Sequence, residues 1–176
     1  CIRDSLYDLG ILFECLGFYA VPLSLTGCLV DVAQTLQKFS KNDNHQSIVS
    51  SITKGEIYTS AILEPLNHDP ENPTTTAVFD GDKVVINGSK YLSEISSLAK
   101  GILISASSNK GVILVIVKTD NVKLTQLTST ANSPLFKVEL NNVSIEQSDI
   151  VHQEGRGLET LRSVSYTHLR AHETHE

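Results

Sequence analysis

The spacing of apolar residues along this chain changes once, from a helical repeat before Gly55 to alternation after it. In the first stretch Leu6, Leu9, Phe13 and Leu16 recur at three- and four-residue intervals, which stacks side chains on one helix face. Asp4 and Ser5 stand where a cap belongs, and Gly17 is placed to end that helix. Pro22 opens a second helix, in which Leu25, Leu29, Val32, Ala33, Leu36 and Phe39 predict one buried face, with Asp31, Gln34 and Lys38 left in water. A shorter third helix is predicted from Asn44 to Lys54, with Ile48 and Ile52 inward and Gly55 as its left-handed terminator.

Beyond Gly55 the stretch Ile57 to Leu63 alternates. Thr74 to Phe79 and Lys83 to Asn87 form two β-branched arms around Asp80-Gly81-Asp82, and Asn87-Gly88-Ser89-Lys90 reads as a second turn. Asp-Gly and Asn-Gly both tolerate the positive φ of tight turns. Gly101 to Ser107 and Val112 to Lys118 are apolar runs joined by Ser108-Asn109-Lys110-Gly111. Val122 to Leu127, Leu135 to Leu140 and Val143 to Ile145 bring the strands to seven or eight, enough to close a small barrel or sandwich. Asn67 to Pro73, with two prolines, is a loop, and Glu154-Gly155-Arg156-Gly157 before Leu158 and Leu161 starts a further helix. The expected fold class is α+β: N-terminal helices, a small β-barrel or sandwich, and the start of a C-terminal helix.

Composition narrows the function classes. In 176 residues, 40% hydrophobic and 19% charged side chains are ordinary for a globular chain able to bury one core. Fourteen Lys and Arg against 20 Asp and Glu give a net charge of -6, and no basic patch is interleaved with aromatics, so nucleic acid is not an expected partner. Cys1, Cys15 and Cys28 have neither CxxC nor metal-finger spacing, which predicts buried or partly buried thiols in a reducing compartment and no metal. Leu9 to Val30 is apolar, but Glu14, Pro22 and Asp31 with the flanking Asp4 and Asp8 suit neither a signal peptide nor a spanning helix. A chain with no methionine is expected to be a fragment of a longer protein. Its tail, Ser165 to Glu176, holds three of the six histidines yet resembles translated sequencing adapter, and is expected outside the fold rather than at a metal.

Several strings then occur in a particular order: Leu16-Gly17 to Pro22 before a long helix, Lys54-Gly55-Glu56, Glu64-Pro65 at a strand end, Asp80-Gly81-Asp82, Asn87-Gly88-Ser89-Lys90, Ala99 to Ala106, and Gly155-Arg156-Gly157-Leu158. From Asp8 to Arg162 the chain resembles the acyl-CoA dehydrogenases. The resemblance implies four segments: 1-55, the end of an N-terminal helical domain; 56-151, a middle β-domain; 152-163, the start of a C-terminal helical domain; and 164-176, the artefactual tail. It implies FAD, and α,β-dehydrogenation of an acyl-CoA thioester, in which a glutamate takes the α-proton while hydride leaves the β-carbon for flavin N5. A desolvated carboxylate is the stronger base, and the cofactor carries the redox step.

In the family that glutamate lies in the C-terminal bundle, so no residue here is expected to be catalytic, and Glu64 and Glu94 are set aside. The implied cofactor contacts are Ile62 and Leu63, through their backbone, and Ser93, through its hydroxyl. Family members carry Thr or Ser where Ile62-Leu63 stand, and Trp-Ile-Ser/Thr where Tyr91-Leu92-Ser93 stands. Leu66-Asn67-His68-Asp69 replaces a glycine-rich stretch, with Asp69 fixing the loop. Of the histidines, His45, His68 and His152 are expected to be solvated, His68 being the exception best placed to meet flavin or thioester. The implied partners are an acyl-CoA substrate, electron-transfer flavoprotein or another acceptor, and further subunits in a homo- or hetero-oligomer, with no membrane and a cytoplasmic location. The alternative is a catalytically silent subunit, or a CoA-ester-binding module without flavin.

Overall fold

The change of period at Gly55 is a change of architecture. The computed structural model describes residues 6-21, 25-40, 42-67, 69-130, 134-152, 157, 159, 160 and 162. Three α-helices come first: α1 (Leu6–Phe18), α2 (Thr35–Phe39) and α3 (Asp43–Thr53). Eight strands follow: β1 (Tyr58–Ala61), β2 (Thr76–Asp80), β3 (Lys83–Glu94), β4 (Gly101–Ser108), β5 (Gly111–Lys118), β6 (Lys123–Leu127), β7 (Leu135–Glu146) and β8 (Ile150–His152). The expected caps Asp4 and Ser5, the helix opener Pro22, the segment Glu154-Gly155-Arg156 and the tail lie outside the described residues.

The second predicted helix divides into a π-wound stretch, Thr26–Gln34, that runs straight into α2. The wider winding of a π-helix rotates the inner face. Cys28, Val32, Ala33 and Leu36 are buried, while Leu25, Leu29 and Phe39 of the predicted stripe are only partly so. Asp31, expected in water, is half-buried and accepts a hydrogen bond from the Ser60 hydroxyl. In α1, Leu9 is buried and Phe13 and Leu16 are partly covered. In α3, Val49 takes the inner place expected of Ile48, beside Ile52. Asn42 caps α3 by accepting from the Asn44 N–H at 2.9 Å, and Gly55 follows with a φ of 96°, as its terminator role requires. Cys28 is buried, and burial pushes its thiol up; Cys15 is exposed, against expectation.

The strands form one sheet in the order β6-β7-β3-β2-β4-β5-β8, with β1 added to β4 in parallel from Tyr58↔Gly101 to Ala61↔Ile104. No bond joins β6 to β8 among the described residues, so the expected closure into a barrel does not occur; the α+β class holds. Alternation sorts the central strands between two cores. Ile102, Ile104 and Ala106 of β4 and Ile113, Val115 and Val117 of β5 join Val84, Ile86, Val138 and Leu140 in one. Leu103, Leu114 and Ile116 point the other way, onto Cys28, Val32, Ala33, Leu36, Val49 and Ile52. The helical part is thereby packed on one sheet face, and β4 and β5 read as continuous apolar runs because both their faces are covered.

The predicted hairpin forms in register, with Asp80 opposite Lys83 and Gly81 at φ 60°, the conformation a two-residue turn needs at its first position. Asn87-Gly88 is not a second turn. It lies inside β3, which continues to Glu94, and marks a slip in the pairing with β7 between Ile86 and Gly88. The separate runs Leu135 to Leu140 and Val143 to Ile145 are likewise one strand, β7.

His45 is fully buried instead of solvated. α3 turns it into the seam against Gln147–Asp149, where its Nδ1 lies 2.6 Å from Ser40 Oγ. Asn42 Nδ2 donates to Ser148 O at 2.9 Å and Asn44 Nδ2 to Asp149 Oδ1 at 3.3 Å across the same seam. Burial holds the His45 imidazole below its ordinary pKa, and the charge of Asp149 only partly offsets this. A base whose folded pKa is depressed leaves the unfolded chain binding more protons, so stability is full above the unfolded value of about 6.5 and falls as pH drops towards the lower folded value. Urea unfolding measured from pH 7.5 down to pH 5 is expected to show this decline, and His45→Gln is expected to flatten it.

Candidate functional site

Past the end of β1 the chain keeps close to β3. Ser93 Oγ donates to Ser60 O at 2.8 Å, and the Tyr91 N–H donates to Leu63 O at 2.8 Å, so 60-63 lies alongside 91-93. Between these two bonds β3 is irregular: its pairing with β7 slips between Lys90 and Ser93, and Leu92 takes a φ of 56°. Leu66, just beyond Pro65, takes a φ of 62°. A left-handed leucine costs roughly 1-3 kcal/mol and persists only where its surroundings over-determine it. Three leucines of this region are left in solvent, Leu63 44% exposed, Leu92 43% and Leu66 100%.

Between β3 and the segment that follows β1 lies a buried charge pair that the motifs do not reveal. Lys90 has no solvent exposure, and its Nζ is 2.7 Å from Glu64 Oε1, 3.0 Å from Ser105 Oγ and 3.4 Å from Ile62 O. Glu64 also accepts from the Thr74 N–H and hydroxyl, both at 2.6 Å, from the Thr75 N–H at 2.9 Å and from Asn67 Nδ2 at 3.1 Å. Burial raises the Glu64 pKa, but these donors outweigh it and hold the carboxyl well below the usual range. Burial pulls Lys90 down, and Glu64 offsets part of that. An ionised pair is the only state that satisfies every donor here. Nothing in the sequence pointed to the pair, for Lys90 reads there as the end of a turn, and only its place inside β3 takes it out of water and demands an anionic partner.

Each expected cofactor contact can now be located. Ile62 is half-buried, with its carbonyl turned to Lys90, and Leu63 is exposed above it. Ser93 is 1% exposed, and its hydroxyl donates to Ser60 O while accepting from Ser96 Oγ at 2.7 Å. A hydroxyl has one proton, so this one offers a ligand no more than a lone pair. Leu63 and Ser93 thus flank the same strand pair, one open and one internal. Asp69 does fix its loop, accepting from the Glu71 N–H at 3.0 Å and from Asn72 Nδ2 at 2.7 Å. His68 lies outside the described residues. Among the described residues no group of His, Cys, Asp and Glu could hold a metal ion, and no helix is long and apolar enough to cross a membrane.

No family profile and no curated protein matches this sequence. Solved structures do match. The ChsE4-ChsE5 complex from Mycobacterium tuberculosis aligns with a TM-score of 0.83 over 94% of this chain and 45% of that one, at 21% identity. A glutaryl-coenzyme A dehydrogenase in complex with glutaryl-CoA aligns at 0.73 over 81% and 39%, at 20% identity. The glutaryl-CoA dehydrogenase of Mycobacterium smegmatis in complex with FADH2 aligns at 0.66 over 75% and 36%, at 20% identity. The chain therefore has the fold of the corresponding part of these structures, two of them glutaryl-CoA dehydrogenases, as its motifs led one to expect, and it spans 36 to 45% of their length.

Proposed function

We propose that this chain is part of a flavin-dependent acyl-CoA dehydrogenase, supplying one wall of the slot for FAD and the acyl-CoA thioester. In this reading 1-55 ends the N-terminal helical domain, 56-151 is the middle β-domain, 152-163 begins the C-terminal domain, and 164-176 is extraneous. The whole protein would be a cytoplasmic oligomer that passes electrons to electron-transfer flavoprotein or another acceptor.

The observation that supports this most is that two exposed leucines, Leu63 and Leu92, stand on neighbouring segments joined by the Leu63–Tyr91 backbone bond. A planar tricyclic ring needs an apolar surface for its face, and in this reading these leucines supply it. Bound FAD would supply the hydride acceptor. The residues of this chain would place the ring against Leu63 and Leu92 and keep water off that face. Glu64 would take no proton from substrate, because its carboxylate is saturated with donors and held ionised.

One observation favours the flavin-free subunit instead. The polar edge of the ring would find Ile62-Leu63 without a hydroxyl and Ser93 with its proton committed to Ser60. One missing hydrogen bond weakens binding by roughly 1 kcal/mol, which a ring face buried on leucine can offset.

Titrating FAD into the purified full-length protein that contains this chain is expected to quench flavin fluorescence saturably. Leu92→Asn is the matching variant. Asn tolerates positive φ, so the fold should hold, while loss of the apolar contact should weaken FAD about tenfold. Fluorescence that never saturates would favour the flavin-free reading.

A further inference from the structure

We propose that Glu64 and Lys90 are a positioning pair: the Glu64 carboxylate clasps both ends of the segment from Pro65 to Pro73, and so holds its described residues, 65-67 and 69-73, as a rigid rim of the candidate site. The naming of FAD as the ligand beside that rim rests on the function proposed above; the clasp itself does not.

The geometry is that of a closed ring fastened at one point. Glu64 begins the loop, and its two carboxylate oxygens accept from Thr74 and Thr75 at the other end. Asn67 ties the middle in, donating through Nδ2 to Glu64 Oε2 at 3.1 Å and to Asn72 O at 2.9 Å. The described residues Asp69, Glu71 and Asn72 are cross-linked by Asp69. Arg162 adds a two-point ion pair to Glu71 at 2.6 Å from outside the β-domain.

Lys90 then anchors the clasp to the sheet. It reaches Glu64 and Ile62 O on either side of Leu63, while the next residue, Tyr91, holds Leu63 O. Three successive residues, 62, 63 and 64, are therefore fixed from two successive residues of β3. Leu63, whose neighbours on both sides are held in this way, keeps its side chain in solvent. A neutral amide cannot replace the carboxylate, because the Glu64 oxygens meet only donors, and an NH2 in either place would face another N–H or O–H.

Thr74→Val tests this without touching the buried pair, since it removes one hydroxyl donor and keeps shape and N–H. In the flavin-free chain the amides of Asn67, Glu71 and Asn72 are expected to exchange with deuterium about tenfold faster in Thr74→Val than in the parent. The global unfolding midpoint should fall with the same lost bond, and Thr74→Ser, which restores the hydroxyl, should return both the exchange rates and the midpoint to the parental values. FAD should dissociate several-fold faster from Thr74→Val than from the parent. Unchanged loop exchange would overturn the clasp, and faster exchange with an unchanged FAD off-rate would overturn its positioning role. A full-length parent protein that binds no FAD would sink the functional reading, and the flavin-free exchange would still decide whether the clasp exists.

Discussion

Replacing Lys90 by Met is expected to lower the free energy of unfolding by about 3-5 kcal/mol, the usual cost of removing one partner of a buried ion pair. Methionine fills the space of the lysine stem but gives Glu64 no counter-charge, and Ser105 Oγ loses its donor as well. Four further donors still reach Glu64, which places the effect towards the lower end of that range. Guanidinium unfolding at pH 7 measures it. The pH dependence has a definite sign. In the parent, Glu64 is held below its ordinary pKa, so the stability it contributes is fully present above the unfolded value of about 4.3 and is lost as pH falls through the lower folded value. Without Lys90 the carboxyl moves up, so the gap between variant and parent should narrow on acidification. A deficit under about 1 kcal/mol would mean that the pair behaves as a solvated surface bridge.

Gly88→Ala is expected to be nearly as damaging, at about 3 kcal/mol, summing backbone strain and overpacking of roughly 1-3 kcal/mol each. Gly88 has a φ of 151°, and a Cβ there would stand 2.6 Å from Thr75 Oγ1 and 2.7 Å from Thr75 Cα. Thr75 cannot retreat: its N–H is held by Glu64 and its carbonyl accepts from the Ser107 N–H at 2.8 Å. Thermal unfolding followed by circular dichroism should show a midpoint lower by roughly 10 °C for a chain of this size. Gly81→Ala is the control. Its site is open, with nothing within 4 Å of a Cβ, so only the left-handed turn geometry is lost, at about 1 kcal/mol. Equal losses in the two variants would show that Gly88 serves only as a flexible link.

The same glycine shows why part of this fold could be read from residues and part could not. Asn-Gly advertises a backbone that accepts unusual φ, and a turn and a bulge make the same demand. What separates them is whether a partner strand runs past both sides, and β7 pairs with β3 at Ile86↔Val143 and again at Gly88↔Leu140. His45 was misjudged for a related reason. Its helix was foreseen, but which face met Gln147–Asp149 depends on a residue pair more than a hundred positions apart. Of the expected cofactor contacts, the structure places Leu63 beside 91-93, whereas the commitment of the Ser93 proton to Ser60 could not be read from the motifs.

What the sequence alone determined is periodicity and punctuation: helices before Gly55, strands after it, the Asp80–Lys83 hairpin and the order of the motifs. These are local matters, set by side-chain spacing and by φ preferences within a few residues. The tertiary structure decided which polar groups are taken out of water. Lys90, Glu64, His45 and Ser93 look alike from the chain whether wet or dry, and only the packing of β1 against β3 and β4, and of α3 against Gln147–Asp149, excludes solvent from them and forces each to find its partner.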